Sequence, residues 1–428
     1  MEWKKEKLKP LGWLRSAGVN KLIDRNQKEV CLINYMDVYR NHQISSKIDF
    51  QKVTAKEAEI KNANVLKGDI LFTPSSEKPT DIGHAGVVME ELENTVYSYH
   101  LVRFRLYKPE LFNPLFLSYS LNAYQAEKHF VTRATGTTRY TLSLSDFKSL
   151  EIEYPENLAE QTAIATILSK VDAAIEATQN SIKAAEKLKK ALMQNLLTGK
   201  LKPDGTWRTD DEFYEDEKFG KVPKGWSRRQ IKDVTIQIQY GLNVPSVEDG
   251  KYPMFRMNNI IDGKMVDKPM VSVNLPKREF ERYKLDKFDI LFNRTNSLDL
   301  VGKIGIFELD GDYVFASYLI RLKVNSENNP CFINYYLNSY QGQCSLRSKA
   351  TPAVSQANIN AKSLRNTYIP RPPKNEQDEI VSKFDQIEKN KEKLQTKILA
   401  LQRLKKSLMQ NLLTGKVRLD VERMMNCE

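Results

Sequence analysis

Three polar, basic, turn-rich stretches carry the side chains best suited to grip another molecule: Thr132–Tyr140 (TRATGTTRY), Arg294–Ser297 (RTNS) and Arg347–Asn358 (RSKATPAVSQAN). Arg, Asn and Gln can make paired hydrogen bonds to guanine or adenine edges, while Ser, Thr and backbone amides can hold phosphates. On that chemistry the candidate DNA contacts are Arg133, Thr137, Arg139 and Tyr140, then Arg294 and Asn296, then Arg347, Lys349, Ser355, Gln356 and Asn358. A plain surface loop is the competing reading of each stretch. Net charge leans the same way: 66 Lys and Arg against 54 Asp and Glu give +12, which favours a polyanionic partner without requiring one.

Other chemistries lack their residues. The four histidines (His42, His84, His100, His129) sit at no metal-ligand spacing and read as ordinary surface or core side chains. Cys31, Cys331, Cys344 and Cys427 form no CxxC pair, so neither a zinc site nor a disulfide framework is expected. Gly83 with Gly86, and Gly302 with Gly305, lack a GxGxxG context, and no GxxxxGK(S/T) run exists for nucleotide phosphates. Catalysis, metal binding and ATP-driven work are therefore not expected of this chain. With 41% apolar and 28% charged residues it can bury real cores, yet no stretch approaches the roughly 20 uncharged apolar residues of a membrane helix. The opening Met-Glu-Trp-Lys-Lys-Glu has no apolar run after its charges, so no secretory signal is expected and a cytoplasmic location is.

The elements that position the candidate loops emerge when the chain is compared with itself. LKKALMQNLLTGK at residues 188–200 recurs as LKKSLMQNLLTGK at 404–416, differing only at Ala191 and Ser407, and the 216-residue offset holds without a gap back to Glu160-Gln161 and Glu376-Gln377. NPLFLSYSLNAYQ (113–125) and NPCFINYYLNSYQ (329–341) share eight of thirteen positions at that same offset. KGDILF ending at Phe72 recurs as KFDILF ending at Phe292, with the offset drifting to 220 as loops change length. The chain is a tandem duplication of a globular unit followed by a long helix.

In the first helix Ile164, Leu168, Val171, Ile175, Thr178, Ile182, Ala185, Leu188, Leu192 and Leu196 follow at spacings of four and three, a coiled-coil seam. Its twin runs Ile380, Phe384, Ile387, Lys391, Leu394, Ile398, Leu401, Leu404, Leu408 and Leu412, with Lys391 as the one charged interruption. The simplest partner for each helix is the other, packed antiparallel. Prolines precede both helices (Pro155; Pro370, Pro372, Pro373), and Gly199 and Gly415 stand where each should stop. The helix tails gather Lys183, Lys187, Lys189, Lys190 and Lys200, then Lys397, Arg403, Lys405, Lys406 and Lys416, which suit a solvated face or phosphate contact. Short runs such as Asp69–Phe72 and Asp289–Phe292 read as strands, so the fold class is α/β (α+β): two globular domains in tandem, each followed by a long helix, the helices pairing as an antiparallel coiled coil. The acidic stretch over residues 203–225, with Asp210-Asp211-Glu212 and Glu215-Asp216-Glu217, reads as a solvated linker.

Asn113-Pro-Leu-Phe116 is superficially similar to the tetrad with which adenine methyltransferases hold a flipped base. Its twin Asn329-Pro-Cys-Phe332 heads the same helical pattern, and neither half has a glycine-rich turn for S-adenosylmethionine, so both read as helix starts.

Two diverged α/β units alternating with two nearly identical helices, the helices opening with YPENLAEQ or RPPKNEQ and closing with LMQNLLTGK, resemble the specificity subunit of type I restriction-modification systems. GKVPKGW (220–226) resembles the usual lead-in to the second target recognition domain, while the first unit begins at Trp3 without it and its helix opens without the double proline. The resemblance implies a first recognition domain over 1–155, a repeated helix over 156–202, the linker over 203–225, a second recognition domain over 226–370, a second helix over 371–418 and a tail over 419–428. It also implies that each domain reads half of a split DNA site, that the paired helices set the gap and dock two methyltransferase subunits, and that motor and nuclease subunits can join. S-adenosylmethionine, ATP and Mg are then expected on those partners and no cofactor on this chain. Competing readings are a coiled-coil scaffold with two heads and no DNA role, and a self-contained DNA methyltransferase.

Overall fold

The computed structural model describes residues 3–297, 301–352 and 357–420. The chain forms two units: one joins everything up to Gln179 with the chain from Thr396 onward, and the other runs Asn180–Gln395. Each unit thus holds one globular domain, the start of the long helix that follows it, and the end of the other long helix.

In the first unit the main sheet runs Gly12–Arg15, Val102–Leu106, Ile70–Phe72, Ala85–Val88 and Gln43–Ile44 in spatial order. Ile70–Phe72 and Ala85–Val88 are buried at every position, which is why the sequence shows them as continuous rather than alternating apolar runs. A smaller sheet of Gln51–Ala55, Lys28–Ile33 and Thr95–Tyr97 has its own core around Leu32, Val53 and Val96. The second unit repeats the order with Thr235–Tyr240, Leu319–Val324, Ile290–Asn293, Ile304–Ile306 and Lys264–Met265, and adds Ile260–Ile261 at the edge. Both main sheets bury an arginine on the second strand: Arg103 opposite Leu71, and Arg321 opposite Leu291.

The first and last strands of each domain pair with each other, Trp3–Lys7 with Glu151–Pro155 and Ser227–Gln230 with Tyr368–Arg371. Each domain therefore closes where its long helix begins. The repeated Glu-Gln dipeptide locks that junction. Gln161 is fully buried; its Oε1 accepts from the Asn113 backbone at 2.9 Å while its Nε2 donates to the Pro155 and Leu111 carbonyls. Gln377 does the same with the Asn329 backbone at 2.8 Å and the Pro372 carbonyl at 2.9 Å. Glu376 accepts from Arg208 Nη2 at 2.5 Å and Trp226 Nε1 at 2.9 Å. Glu160 meets Arg418, which stacks over Trp3 as Arg208 stacks over Trp226. Trp3 is thus the spatial counterpart of Trp226 beneath the stacked arginine.

Residues 203–225 differ from a bare linker. Phe213–Asp216 and Gly220–Pro223 form an antiparallel hairpin, with the carboxylates of Asp210, Asp211 and Glu215 exposed but Val222 buried beside Trp226. Alternating apolar and charged residues let one face pack while the other is solvated.

The long helices are Leu158–Leu196 and Lys374–Leu412, 39 residues each. They run antiparallel: Ile164, Ala165 and Leu168 bury with Leu412 and Leu413 in one unit, and Ile380, Val381 and Phe384 with Leu196 and Leu197 in the other. Val171, Thr178 and Ala185 are buried, whereas Ile175, Ile182, Leu192, Ile387, Leu394, Ile398, Leu401 and Leu408 are half-buried. Leu188 and Leu404 depart from the expected seam, at 52% and 47% exposed. A straight helix at 3.6 residues per turn drifts from a strict heptad, and the neighbouring lysines turn inward instead. Lys189 pairs with Glu388 at 2.7 Å over the Tyr335 ring, and Lys405 with Asp172 at 2.6 Å over Tyr119. Lys391 also reaches Glu388, at 3.3 Å, which explains the charge within the seam. Each helix ends on a glycine with positive φ, Gly199 at +70° and Gly415 at +67°. A Cβ on Gly199 would stand 2.2 Å from Pro223, so no other residue fits that turn without a shift.

Candidate nucleic-acid interface

In each unit the segment after the KxDILF strand leaves the main sheet and pairs with the loop that precedes the long helix. Ser75–Ser76 pairs antiparallel with Tyr140–Thr141, and Thr295–Asn296 pairs antiparallel with Ala357–Asn358. Thr141 is doubly bonded to Thr135, at 3.1 and 2.9 Å, and Asn358 lies opposite Thr351 in the same way. Two loops distant in sequence are thereby held as one small polar ladder, once in each unit.

Several candidates sit on these ladders. Arg139 is exposed and donates from Nε and Nη2 to Ser75 Oγ at 3.3 and 3.0 Å; Thr137 is exposed and Tyr140 half-buried beside it. Gly136 supplies the bend, at φ +141°, where a Cβ would meet the Arg139 carbonyl at 2.1 Å. In the second unit Asn358 Nδ2 donates to Thr295 Oγ1 at 3.0 Å. Asn296 is half-buried with Nδ2 3.7 Å from Met257 Sδ, and Arg294 lies over the Tyr240 ring with Nε donating to the Ser317 carbonyl at 3.0 Å.

Other candidates lie elsewhere. Arg133 follows the helix Tyr124–Val131 and donates to the His129 carbonyl at 3.2 Å; Arg347 ends the helix Tyr340–Arg347. Lys349 donates to the Asn366 carbonyl at 2.8 Å, and burial, aided by Lys218, lowers its pKa. Ser355 and Gln356 fall outside the described residues.

Sequence reasoning missed Ser75 and Ser76, although the 220-residue offset of the KxDILF runs aligns them with Thr295 and Asn296. It also passed over a cluster found in the first unit. Tyr35 donates to the Ser75 carbonyl at 2.7 Å, Tyr39 donates to Asp81 at 2.9 Å, and His84 Nε2 lies 2.8 Å from the other Asp81 oxygen. Burial would raise the Asp81 pKa, but the His84 and Tyr39 bonds hold it below the usual carboxylate range. Tyr39 packs on Tyr35 and on His84, at 6.1 and 4.9 Å between ring centres, which fixes the cluster beneath the ladder.

The ladders offer guanidinium, hydroxyl and amide groups that can hydrogen-bond without reacting. Asn113 and Asn329 serve as helix caps, each accepting two backbone N–H bonds through Oδ1, with Phe116 and Phe332 fully buried behind them. Among the described residues no three His, Cys, Asp or Glu side chains are grouped to hold a metal ion, and no helix is long and apolar enough to cross a membrane.

The model of the type I restriction modification DNA specificity domain matches residues 2–187 and again 223–403. The chain belongs to that specificity family. This member is 26% identical over 398 residues to the MjaVIII specificity subunit of Methanocaldococcus jannaschii, covering 89% of this chain and 84% of that one. It is 28% identical over 212 residues to the putative MjaX specificity subunit of the same organism and 22% over 262 residues to the EcoKI specificity subunit of Escherichia coli; it spans about half the length of these two, 50% and 54%. Among solved structures it is similar to the type I S subunit from M. genitalium (TM-score 0.52, 17% identity, 96% of both chains) and the HsdS subunit from Thermoanaerobacter tengcongensis (TM-score 0.51, 19% identity, 97% of both chains). The specificity-family fold, tandem domains each followed by a long helix, is common to all three.

Proposed function

We propose that this chain is the non-catalytic DNA-recognition subunit of a type I restriction-modification complex. Each globular domain reads one half of a split, asymmetric site with its polar ladder: the first through Arg139, Thr137, Tyr140 and the Ser75–Ser76 edge, the second through Arg294, Asn296 and Asn358. The observation that carries this reading is that the same ladder, made from two distant loops, recurs on the same scaffold in both units while its residues differ. A shared frame with unlike side chains is what two readers of two different half-sites require.

The paired helices, each about 58 Å long at 1.5 Å per residue, set the half-site spacing and dock two methyltransferase subunits. The internal repeat supports this, since two copies of one partner need two equivalent seats. S-adenosylmethionine chemistry belongs to those subunits, ATP and Mg to motor and nuclease subunits that join them, and the assembly works in the cytoplasm on genomic DNA.

The test is a comparison of adenine modification in the host genome with and without the gene. Loss of modification at one split motif is expected; unchanged modification, with the methyltransferase expressed, would favour a scaffold with no DNA role. Purified chain with methyltransferase should also bind the motif with an affinity that falls steeply with salt.

A further inference from the structure

The duplication also places one tight turn in each domain on a common frame with different side chains. In the second unit the small sheet is Val271–Val273, Tyr252–Phe255 and Val314–Phe315, and its central strand, like Lys28–Ile33 in the first, runs straight into a turn. Ile33 lies opposite Tyr97 and Phe255 opposite Phe315 in the parallel pairs that end these strands. The next residue heads the turn, and the residue three further on holds it. Asp37 accepts from the Asn34 backbone at 2.7 Å, and Asn259 from the Arg256 backbone at 2.8 Å. Asn259 is fully buried and donates to the Val266 and Pro269 carbonyls at 3.0 Å each, which fixes the second turn.

Both turns reach a polar ladder. Tyr35 donates to the Ser75 carbonyl, and Met257, at the same place in the other turn, brings Sδ to 3.7 Å from Asn296 Nδ2. Asn34 and Arg256 are each one residue from that contact, and each carries a buried polar atom with no hydrogen-bond partner, Oδ1 of Asn34 and Nε of Arg256. A buried polar atom left unpaired lowers stability, so its place in a fold calls for a reason. Arg103 Nε and Arg321 Nε are also unpaired, but those guanidiniums are engaged inside the domains, by Asn64 and by the Lys284 carbonyl. The Arg256 guanidinium makes no hydrogen bond or ion pair among the described residues.

The class of ligand follows from what the two turns do not share. The frame is kept but its charge is not: a cation heads one turn where a neutral amide heads the other. Phosphates are alike in every half-site, so a phosphate seat would hold its cation in both domains. Base edges differ, and Arg and Asn are the side chains that pair in bidentate fashion with guanine and adenine. We infer that this turn is a second base-reading segment of each domain, and that Arg256 reads the O6 and N7 edge of a guanine in the half-site of the second domain. This role for Arg256 rests on the function proposed above and adds to it a base that the site must contain.

The test uses the full chain with its methyltransferase subunit and duplexes carrying the split motif mapped in the genome. Each guanine of the half-site assigned to residues 226–370 is replaced in turn by 7-deazaguanine, which pairs normally but lacks N7. Wild type should lose affinity several-fold at one such guanine. Arg256→Ala should bind the unmodified motif about tenfold more weakly, and 7-deazaguanine at that position should then have no further effect. Arg256→Lys, which keeps the charge but not the paired donors, should recover only part of the loss. Thermal melting of both variants should stay near wild type, because the guanidinium bonds nothing within the described chain. Equal weakening of Arg256→Ala on every sequence, with a salt slope smaller by about one, would make Arg256 a phosphate contact and overturn the inference. So would full recovery by lysine, wild-type affinity in Arg256→Ala, or a half-site with no guanine on either strand. A wild-type complex with no preference for the motif would instead overturn the function beneath it.

Discussion

Arg418 donates from Nε and Nη2 to the two carboxylate oxygens of Glu160, 2.7 Å each, although 258 residues separate them. Arg208 and Glu376 make the corresponding contact in the other unit. Each pair ties the segment beyond the end of one long helix to the start of the other.

Glu160 is nearly buried, and burial would raise its pKa, but the bond and charge of Arg418, with help from Trp3 and the Leu419 backbone, hold it below 4.5. A carboxylate depressed in the folded state contributes stability above its unfolded pKa and loses it as pH falls through the folded value. Glu160→Gln should therefore lower stability by about 1–3 kcal/mol at neutral pH. Thermal melts from about pH 7 to about pH 3 should show that difference shrinking as wild-type Glu160 takes up its proton. A pH-independent difference would contradict the pairing.

Asp69 is buried and accepts from Arg105 Nε and Nη2 at 2.7 and 2.6 Å, with Arg103 beside it stacked on Trp13 at 4.8 Å. Removing one partner of a buried pair leaves the other charge uncompensated. Asp69→Ala should cost about 3 kcal/mol or more in denaturant unfolding. A loss below about 1 kcal/mol would mean solvent reaches the site.

Much of this architecture was legible in the sequence, because a repeat of near-identical residues fixes helix ends and twin strands without any structure. Two features were hidden for physical reasons. Trp226 and Trp3 sit under equivalent arginines, but in the ladders it is Ser227, opposite Arg371, that matches Trp3, opposite Pro155, and WKKEK and SRRQ share no residue in that register, since a two-stranded edge constrains its backbone more than its side chains. The ladders join loops dozens of residues apart, and two-residue strands give no periodicity to read. Arg133, Arg347 and Lys349 looked equivalent to Arg139 in composition, yet only the fold places Arg139 on a ladder and Lys349 against a carbonyl.

Substitutions on one ladder should affect one half-site. Asn358→Ala or Arg294→Ala should relax discrimination at a base of one half-site by about 1–3 kcal/mol, and Arg139→Ala at a base of the other. Binding measured against single-base variants of the motif checks this; equal weakening for every sequence would make these residues phosphate contacts.

Inserting seven residues into both long helices should lengthen the gap by about 10 Å, on the order of three base pairs, and leave both half-sites unchanged. Modification mapping of a strain carrying the insertion would read the new spacing, and an unchanged gap would remove the helices from that role.

The most direct test exchanges residues 226–370 for the same region of another family member and maps modified adenines across the genome at base resolution. One half of the split motif should change while the other half and the spacing stay as they were. A change in both halves, or in neither, would contradict the account of two independent readers on one duplicated frame.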